Sequence, residues 1–241
     1  MCGSLFCGLY SCYNRLMMEM LGGMIGYVIC VFLITLFSMI LHELAHGFVA
    51  LRLGDRTAKD SGRLSLNPIK HIDPMMTVVV PVILAMIGAP IFGGAKPVPI
   101  NTRNLKYREW GFALVAIAGP LTNFLLAFLF FLIGRMTNSF EIIGGGYVSI
   151  SNFFGAFTLL GVMVNLGFML FNIIPIPPLD GSRVLYAIAP EGSIRMAMEG
   201  IEKYGIVIIY ICLLCFGTVL SSYMSGATNA IVQLFTMVTG G

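Results

Sequence analysis

Residues 37–53 read FSMILHELAHGFVALRL, an apolar run that ionisable side chains interrupt. His42, Glu43 and His46 form the pattern H-E-x-x-H within it. Residues four apart lie on one face of an α-helix, so the two imidazoles can share one zinc ion. Glu43 projects about 100° around the helix from His42, beside the metal, where a carboxylate can take a proton from water. Ionisable residues at membrane depth are costly and usually functional, which favours a metal site over a structural pair.

The composition is that of a multi-pass membrane protein. Hydrophobic residues make up 58% of the 241 residues, charged residues 10%, and the mean hydropathy is +0.92. A soluble domain carries about 25% charged residues. The net charge of +3 is not a nucleic-acid signature, so we expect no nucleic-acid partner. The six cysteines lie in a short N-terminal segment or in apolar runs and predict no disulfide framework.

The apolar segments predict an all-α polytopic membrane protein with about four to six transmembrane helices. The clear spans are 24–52, 111–134, 152–174 and 204–224. The sequence predicts three parts, namely an amphipathic N-terminal lead, an intramembrane core and an apolar C-terminal tail, at 1–23, 24–224 and 225–241. No internal repeat suggests two related halves.

Two segments between the first two spans have ambiguous patterns. Residues 75–92 are apolar but short and interrupted by Pro81, Gly88 and Pro90, so they either cross the membrane or re-enter it. Residues 93–101 read GGAKPVPIN and predict a short β-like loop. One edge of that loop could accept an unwound substrate strand, and a plain membrane-associated loop is an equal alternative.

Basic residues predict the orientation. They cluster in the two loops that flank the 75–92 segment, at 51–74 and 93–109. Cytoplasmic loops carry an excess of Lys and Arg, so we expect both loops on the cytoplasmic side of a cell membrane. The active end of the first helix then faces the cytoplasm, and a re-entrant 75–92 segment is favoured.

A catalytic zinc ion needs a third protein ligand besides the two histidines. The four aspartates are Asp55, Asp60, Asp73 and Asp180. The first three lie in a basic loop, where we expect solvated charges. Asp180 follows a run of prolines at the cytoplasmic end of a span, and those prolines let a side chain turn inward. Asp180 is therefore the predicted third ligand.

Several separated motifs together resemble the site-2 protease family of intramembrane zinc metalloproteases. The similarity covers about residues 35–190 and is carried by HELAHG, GRLSLNPIKHIDP, AKPVPIN, AGPLTN and FNIIPIPPLDG. The resemblance implies that His42, His46 and Asp180 bind one zinc ion per chain and that Glu43 is the general base. It also implies that Asn172 positions the substrate or stabilises the oxyanion. The chain is similar to compact members without a PDZ or nucleotide-sensing domain.

The expected function is therefore regulated intramembrane proteolysis. The partners would be a transmembrane protein substrate and the lipid bilayer, and the oligomeric state is not readable. A metal-ion transporter or channel using the same histidines and aspartate is the alternative. The glutamate beside the ligands and the lack of repeat symmetry favour the protease.

Two further polar residues have open roles. His71 is the third histidine, and as a fourth zinc ligand it would close the site, so a hydrogen bond to the loop backbone is favoured. Asn123 lies within a predicted span, where a buried amide must find partners. It either faces the metal cavity or joins two helices by a hydrogen bond.

Overall fold

The computed structural model describes residues 19, 21–79, 96–143, 147–189, 193–202 and 204–240. Within them the helices are α1 (Gly23–Arg52), α2 (Thr57–Asp60), α3 (Arg108–Met136), α4 (Phe153–Asn172), α5 (Gly181–Ile188), α6 (Ser193–Glu202) and α7 (Gly205–Val238). Strands β1 (Phe140–Ile143) and β2 (Tyr147–Ile150) form an antiparallel hairpin. Single 3-10 or π turns lie at Pro68–Lys70, Pro74–Val79 and Thr102–Asn104.

Four of these helices are long and apolar enough to cross a membrane. They are Gly23–Arg52, Arg108–Met136, Phe153–Asn172 and, within α7, Val207–Val238. A span needs about 20 residues, and each of the four meets that length. The predicted all-α polytopic fold is confirmed, with four spans in the described part of the chain.

Helix α1 carries the H-E-x-x-H pattern near its C-terminal end. The helix has 30 residues and ends at Arg52, with Leu53 as the C-cap. Gly54 follows with φ of 107°, a left-handed conformation that glycine adopts without steric cost. Its N–H donates to the carbonyl of Leu51 at 3.2 Å. Because the helix ends there, the histidine pair lies close to one end of the span.

The spanning helices bury small and polar side chains and expose large apolar ones. The exposed apolar residues form the outer faces of α1 and α3 and include Phe32, Leu33, Leu121, Leu125 and Leu129. The buried polar residues within α1, α3 and α4 are Ser38, His42, His46, Asn123, Thr158 and Asn165. This distribution suits a bundle surrounded by lipid, in which small residues allow close helix packing and polar groups pair internally.

Helices α3 and α4 form the centre of the bundle. Their main apolar cluster also takes one residue from the hairpin and one from α7; its members are Ala127, Phe131, Phe140, Leu159, Val162, Leu166 and Phe235. The rings of Phe131 and Phe140 lie 5.7 Å apart, and those of Phe131 and Phe235 5.5 Å apart. The hairpin and the end of α7 are therefore fastened to the same part of the core.

The β-like element lies at a different place from the predicted one. The sequence predicts it at 93–101, whereas the two strands form at Phe140–Ile143 and Tyr147–Ile150, between the second and third spans. Residues 93–95 lie outside the described residues, and 96–100 are not part of a strand. Pro97 and Pro99 have no N–H to donate, and the N–H of Val98 donates to a side chain of α1 rather than to a strand.

The predicted C-terminal boundary also differs from the structure. Helix α7 continues across residues 224 and 225, so the tail predicted at 225–241 is mostly helical and continuous with the last span. The non-helical residue inside α7 is Phe216. Serines lower the hydropathy around residue 225, but Ser225 donates to the carbonyl of Ser222, which keeps its hydroxyl paired without breaking the helix. The lead at 1–23 and the segment 75–92 lie mostly outside the described residues.

Asp55 joins the loop after α1 to the segment before α3. Its carboxylate is buried and accepts from the N–H of Thr57, the N–H of Asn101 and the side-chain amide of Asn104, at 3.0, 2.7 and 3.1 Å. Burial alone would raise the pKa of Asp55, but these hydrogen bonds hold it below its ordinary value. The expectation that Asp55 is a solvated loop charge is therefore wrong.

Replacing Asp55 with alanine should destabilise the protein. The N–H groups of Thr57 and Asn101 would lose a charged acceptor, and we expect a loss of about 2 kcal/mol in the free energy of unfolding. Asp60→Ala is the matched control, because Asp60 makes only an exposed ion pair with Arg56 at 3.8 Å. Unfolding in detergent by heat or denaturant measures both variants, and equal stabilities would contradict the role of Asp55.

The stability difference between the wild type and Asp55→Ala should depend on pH. The pKa of Asp55 is lowered in the folded protein, so its contribution is complete above the unfolded value of about 3.9. The contribution is lost as the pH falls through the folded pKa. We expect a constant difference from about pH 7 to pH 5 and a shrinking one below about pH 4. A difference that vanished near neutral pH would contradict this assignment.

Candidate metal centre

Three predicted ligand residues converge in the bundle. His42 and His46 lie one turn apart on α1, and Asp180 is the N-cap residue of α5. The two Nε2 atoms lie 3.0 Å apart, and Asp180 Oδ2 lies 3.1 Å from Nε2 of His42 and 3.4 Å from Nε2 of His46. Both histidines are buried, and the three residues form a group able to hold a metal ion.

Hydrogen bonds at the opposite ring nitrogens prepare both imidazoles for this role. Nδ1 of His46 lies 2.7 Å from the carbonyl oxygen of Val115, and Nδ1 of His42 lies 2.6 Å from Oδ1 of Asn123. Both partners accept, so each neutral ring carries its proton on Nδ1 and a lone pair on Nε2. Neither Nε2 can then donate to Asp180, whose Oδ2 has no hydrogen-bond donor among the described residues.

The arrangement fits a zinc ion. Ligand atoms about 2.1 Å from a tetrahedral centre lie about 3.4 Å apart, close to the three separations here. Two imidazole nitrogens and one carboxylate oxygen are typical ligands of a catalytic zinc, which keeps a fourth position open. Three lone pairs that face one another in an apolar bundle repel, and a cation removes that repulsion.

The helix that follows Asp180 is anchored on two sides. Arg183 of α5 forms a two-pronged ion pair with Glu202 of α6, with one contact of 2.6 Å, and lies 5.0 Å above the ring of Phe112 in α3. The Arg183 guanidinium lowers the pKa of the Glu202 carboxyl. These contacts fix the start of α5, and with it Asp180, against α3.

Gly119 allows α3 to pack directly on both imidazoles. A Cβ atom at this position would lie 2.5 Å from the rings of His42 and His46. Neither ring is free to move away, because each Nδ1 is held by a hydrogen bond. The glycine of the AGPLTN motif is therefore needed for the shape of the site.

Glu43 faces the extended segment before α3. Its Oε2 accepts from the N–H of Val98 at 2.8 Å. The segment is itself held by Arg63, which donates to the carbonyl of Lys96 at 2.6 Å, and by the N–H of Lys96, which donates to the carbonyl of His71 at 2.9 Å. In a strand, residues 96 and 98 share one edge, and both of their N–H groups are used within the chain.

Asn172 and His71 form their hydrogen bonds with the backbone rather than with the three ligand residues. Asn172 donates to the carbonyl of Phe168 at 3.0 Å, and no hydrogen bond joins it to the cluster within the described residues. His71 is buried and its Nε2 donates to the carbonyl of Ser65 at 2.7 Å, as expected for a structural histidine.

Asn123 has both of its predicted roles, since it contacts His42 and also donates to Oδ1 of Asn165 across to α4. Asn165 and the carbonyl of Val115 belong to the site but are not predicted from the sequence. The sequence signal for Asn165 is its position within an apolar span, where a side-chain amide requires a hydrogen-bond partner.

These features define a membrane-embedded metalloprotease of the H-E-x-x-H type. The family model described as "Peptidase family M50" matches residues 29–216, well over half of the chain. The chain therefore belongs to peptidase family M50, the site-2 protease family, and is a zinc metalloprotease. The resemblance, the enzyme class and the zinc cofactor expected from the sequence are confirmed.

Relatives in other organisms carry matching descriptions. "Putative zinc metalloprotease YwhC" of Bacillus subtilis is 38% identical over 208 residues, 83% of this chain and 88% of that protein. "Putative zinc metalloprotease Rip2" of Mycolicibacterium smegmatis is 31% identical over 191 residues, 79% of this chain and 68% of that protein. The solved site-2 protease of Methanocaldococcus jannaschii is 22% identical with a TM-score of 0.43, covering 94% of this chain and 83% of that one.

Gly119→Ala should weaken metal binding at least tenfold, because the added methyl group would displace one or both imidazoles. Gly167→Ala is the matched control, since Gly167 also lies in a spanning helix and a Cβ there meets nothing within 4 Å. Competition with a zinc chelator in detergent measures both affinities. Wild-type affinity in Gly119→Ala would show that the rings are not confined by α3.

Proposed function

We propose that the protein is an intramembrane zinc endopeptidase that hydrolyses peptide bonds within or near transmembrane segments of membrane-protein substrates. The observation that carries this proposal is the burial of His42 and His46 among apolar spanning helices, with the half-buried Asp180 beside them. A soluble peptide would have to enter the bundle to reach them. A transmembrane substrate already lies at that depth, so the position of the site favours a role in regulated intramembrane proteolysis.

His42, His46 and Asp180 are the proposed ligands of one zinc ion per chain. When bound, the ion would supply Lewis acidity that polarises the scissile carbonyl and lowers the pKa of water. The chain itself supplies the orientation of the ligands. Val115 and Asn123 fix the two rings, and the anchored helix α5 fixes the carboxylate.

Glu43 is the proposed general base. It follows His42 directly on α1, which places its carboxylate beside the metal ligands rather than among them. The N–H of Val98 holds Oε2, so the other oxygen can take a proton from the attacking water. The same carboxyl group then passes the proton to the leaving amine, as peptide hydrolysis requires.

Asn172 is proposed to orient the substrate or to stabilise the oxyanion. It is the last residue of α4, eight positions before Asp180, and its amide donates to its own helix. A rotation of this side chain would release the amide from the Phe168 carbonyl. The released N–H group could then donate to a substrate carbonyl.

The substrate is proposed to be an apolar segment that unwinds before cleavage, because a helical peptide bond is shielded by its own helix. We place the site towards the cytoplasmic side of the cell membrane. The support is the position of the histidine pair near the end of α1, followed by a loop rich in Lys and Arg. Membership of a protease family favours this function over the metal transporter that the sequence left as an alternative.

Glu43→Gln should retain zinc but lose proteolysis. A positioned base contributes about 10²–10⁴ in rate, so we expect a fall of at least about a hundredfold. The assay is cleavage of a model transmembrane segment in liposomes by purified protein. Glu19→Gln is a control that leaves the site intact, since Glu19 lies before α1. Equal cleavage rates for Glu43→Gln and the wild type would exclude Glu43 as the base.

Asp180→Ala should lose most of the zinc. Two imidazoles alone form an incomplete site, so the metal content should fall from about one ion per chain to a small fraction of that. Elemental analysis of the purified proteins measures this directly. Zinc that stayed bound in Asp180→Ala would mean that the third ligand is another residue. Zinc flux into liposomes that contain the wild-type protein, without cleavage of the model transmembrane segment, would support the transporter instead.

A further inference from the structure

A chain of buried side chains leads from helix α4 to the metal centre. Asn165 and Asn123 are both fully buried. Asn165 Nδ2 donates to the carbonyl of Gly161 at 2.9 Å, Asn123 Nδ2 donates to Asn165 Oδ1 at 3.0 Å, and Asn123 Oδ1 lies 2.6 Å from His42 Nδ1. Every link joins a donor to an acceptor, so the chain has a direction.

The direction of this hydrogen-bond chain is fixed at its end on α4, at the carbonyl of Gly161. The carbonyl oxygen of Gly161 only accepts, so Asn165 must present its NH₂ group there and its Oδ1 to Asn123. Asn123 must then present its NH₂ group to Asn165 and its Oδ1 to His42. His42 therefore carries its proton on Nδ1, and the lone pair of Nε2 faces the metal position.

The two histidines differ in how this proton is fixed. His46 meets the backbone carbonyl of Val115, which cannot exchange donor for acceptor. His42 meets a side-chain amide, whose oxygen and nitrogen change places by a half-turn of the terminal group. With Asn123 turned round, its NH₂ group would face Nδ1, the proton would move to Nε2, and the ligand lone pair would be lost.

We infer that Asn165 is a positioning residue for the metal centre and acts through Asn123 by fixing the His42 tautomer. A carboxylate often holds a metal-binding histidine in this way. Here two neutral amides do so, and they add no further negative charge to an apolar bundle that already contains Glu43 and Asp180. The inference rests on the proposed ligand role of His42.

Zinc affinity of the full chain in detergent, measured by chelator competition, tests the inference. Asn165→Leu keeps the number and branching of the side-chain heavy atoms, removes both hydrogen-bonding groups and leaves Asn123 free to turn round. We expect its zinc affinity to fall about 10- to 100-fold. Thr158→Val is the matched control, because Thr158 is buried on the same helix and its hydroxyl donates only to the backbone of α4. Its affinity should stay within about twofold of the wild type.

Two further variants separate a relay from a general effect on packing. If Asn165 acts through Asn123, the double variant Asn123→Leu, Asn165→Leu should bind zinc no more weakly than Asn123→Leu alone. Asn165→Asp should restore binding, because a neutral carboxylic acid offers the same donor and acceptor as the amide. These comparisons hold even if Asn165→Leu lowers the yield of folded protein.

The possible results distinguish the relay from an effect of packing and from a failure of the proposed metal site. Wild-type affinity in Asn165→Leu, or losses that add in the double variant, would overturn the relay while the metal site stands. A fall in Thr158→Val equal to that in Asn165→Leu would assign the effect to packing and would also overturn it. A wild-type protein that bound no zinc would overturn the proposed site, and the relay with it.

Discussion

The Nε2 atoms of two imidazoles and a carboxylate oxygen of Asp180 lie 3.0–3.4 Å from one another inside a bundle of apolar helices. With protons held on both Nδ1 atoms, all three groups present lone pairs to the same point. Such a cluster is costly in a medium of low polarity unless a cation occupies that point. The glycine on α3, the paired amides and the anchored start of α5 all serve to keep these three atoms together.

The surrounding bundle keeps these polar groups together because its side chains are distributed in the opposite way to those of a soluble protein. Large apolar residues lie on the outside, where lipid solvates them, and polar groups pair in the interior. No apolar side chain of ordinary size separates α1 from α3 at the site, because Gly119 brings the backbone of α3 to the rings. The polar groups there are therefore held by short, direct contacts, which leave little freedom of orientation.

Local patterns made part of this structure predictable from sequence. The placement of His42 and His46 on one helix face follows from helix geometry, and the spanning helices follow from the long apolar runs; the predicted helical fold is confirmed. Contacts between distant segments were harder to predict. Asp180 is predictable as a third ligand because the sequence has four aspartates and Asp180 follows a run of prolines, whereas no local pattern distinguishes Asn165. Asp55 resembled a solvated loop charge, since two of its partners, Asn101 and Asn104, lie 46 and 49 residues away.

The extended segment before α3, at residues 96–100, restricts how a substrate strand can pair with the protein near the site. A strand pairs with a substrate through the N–H and C=O groups along one edge, but on the edge of residues 96 and 98 both N–H groups already donate within the chain. The donor at Val98 holds Glu43. A substrate strand that took this donor would release the carboxylate proposed as the base. The segment is therefore better suited to positioning Glu43 than to pairing with the substrate through this edge.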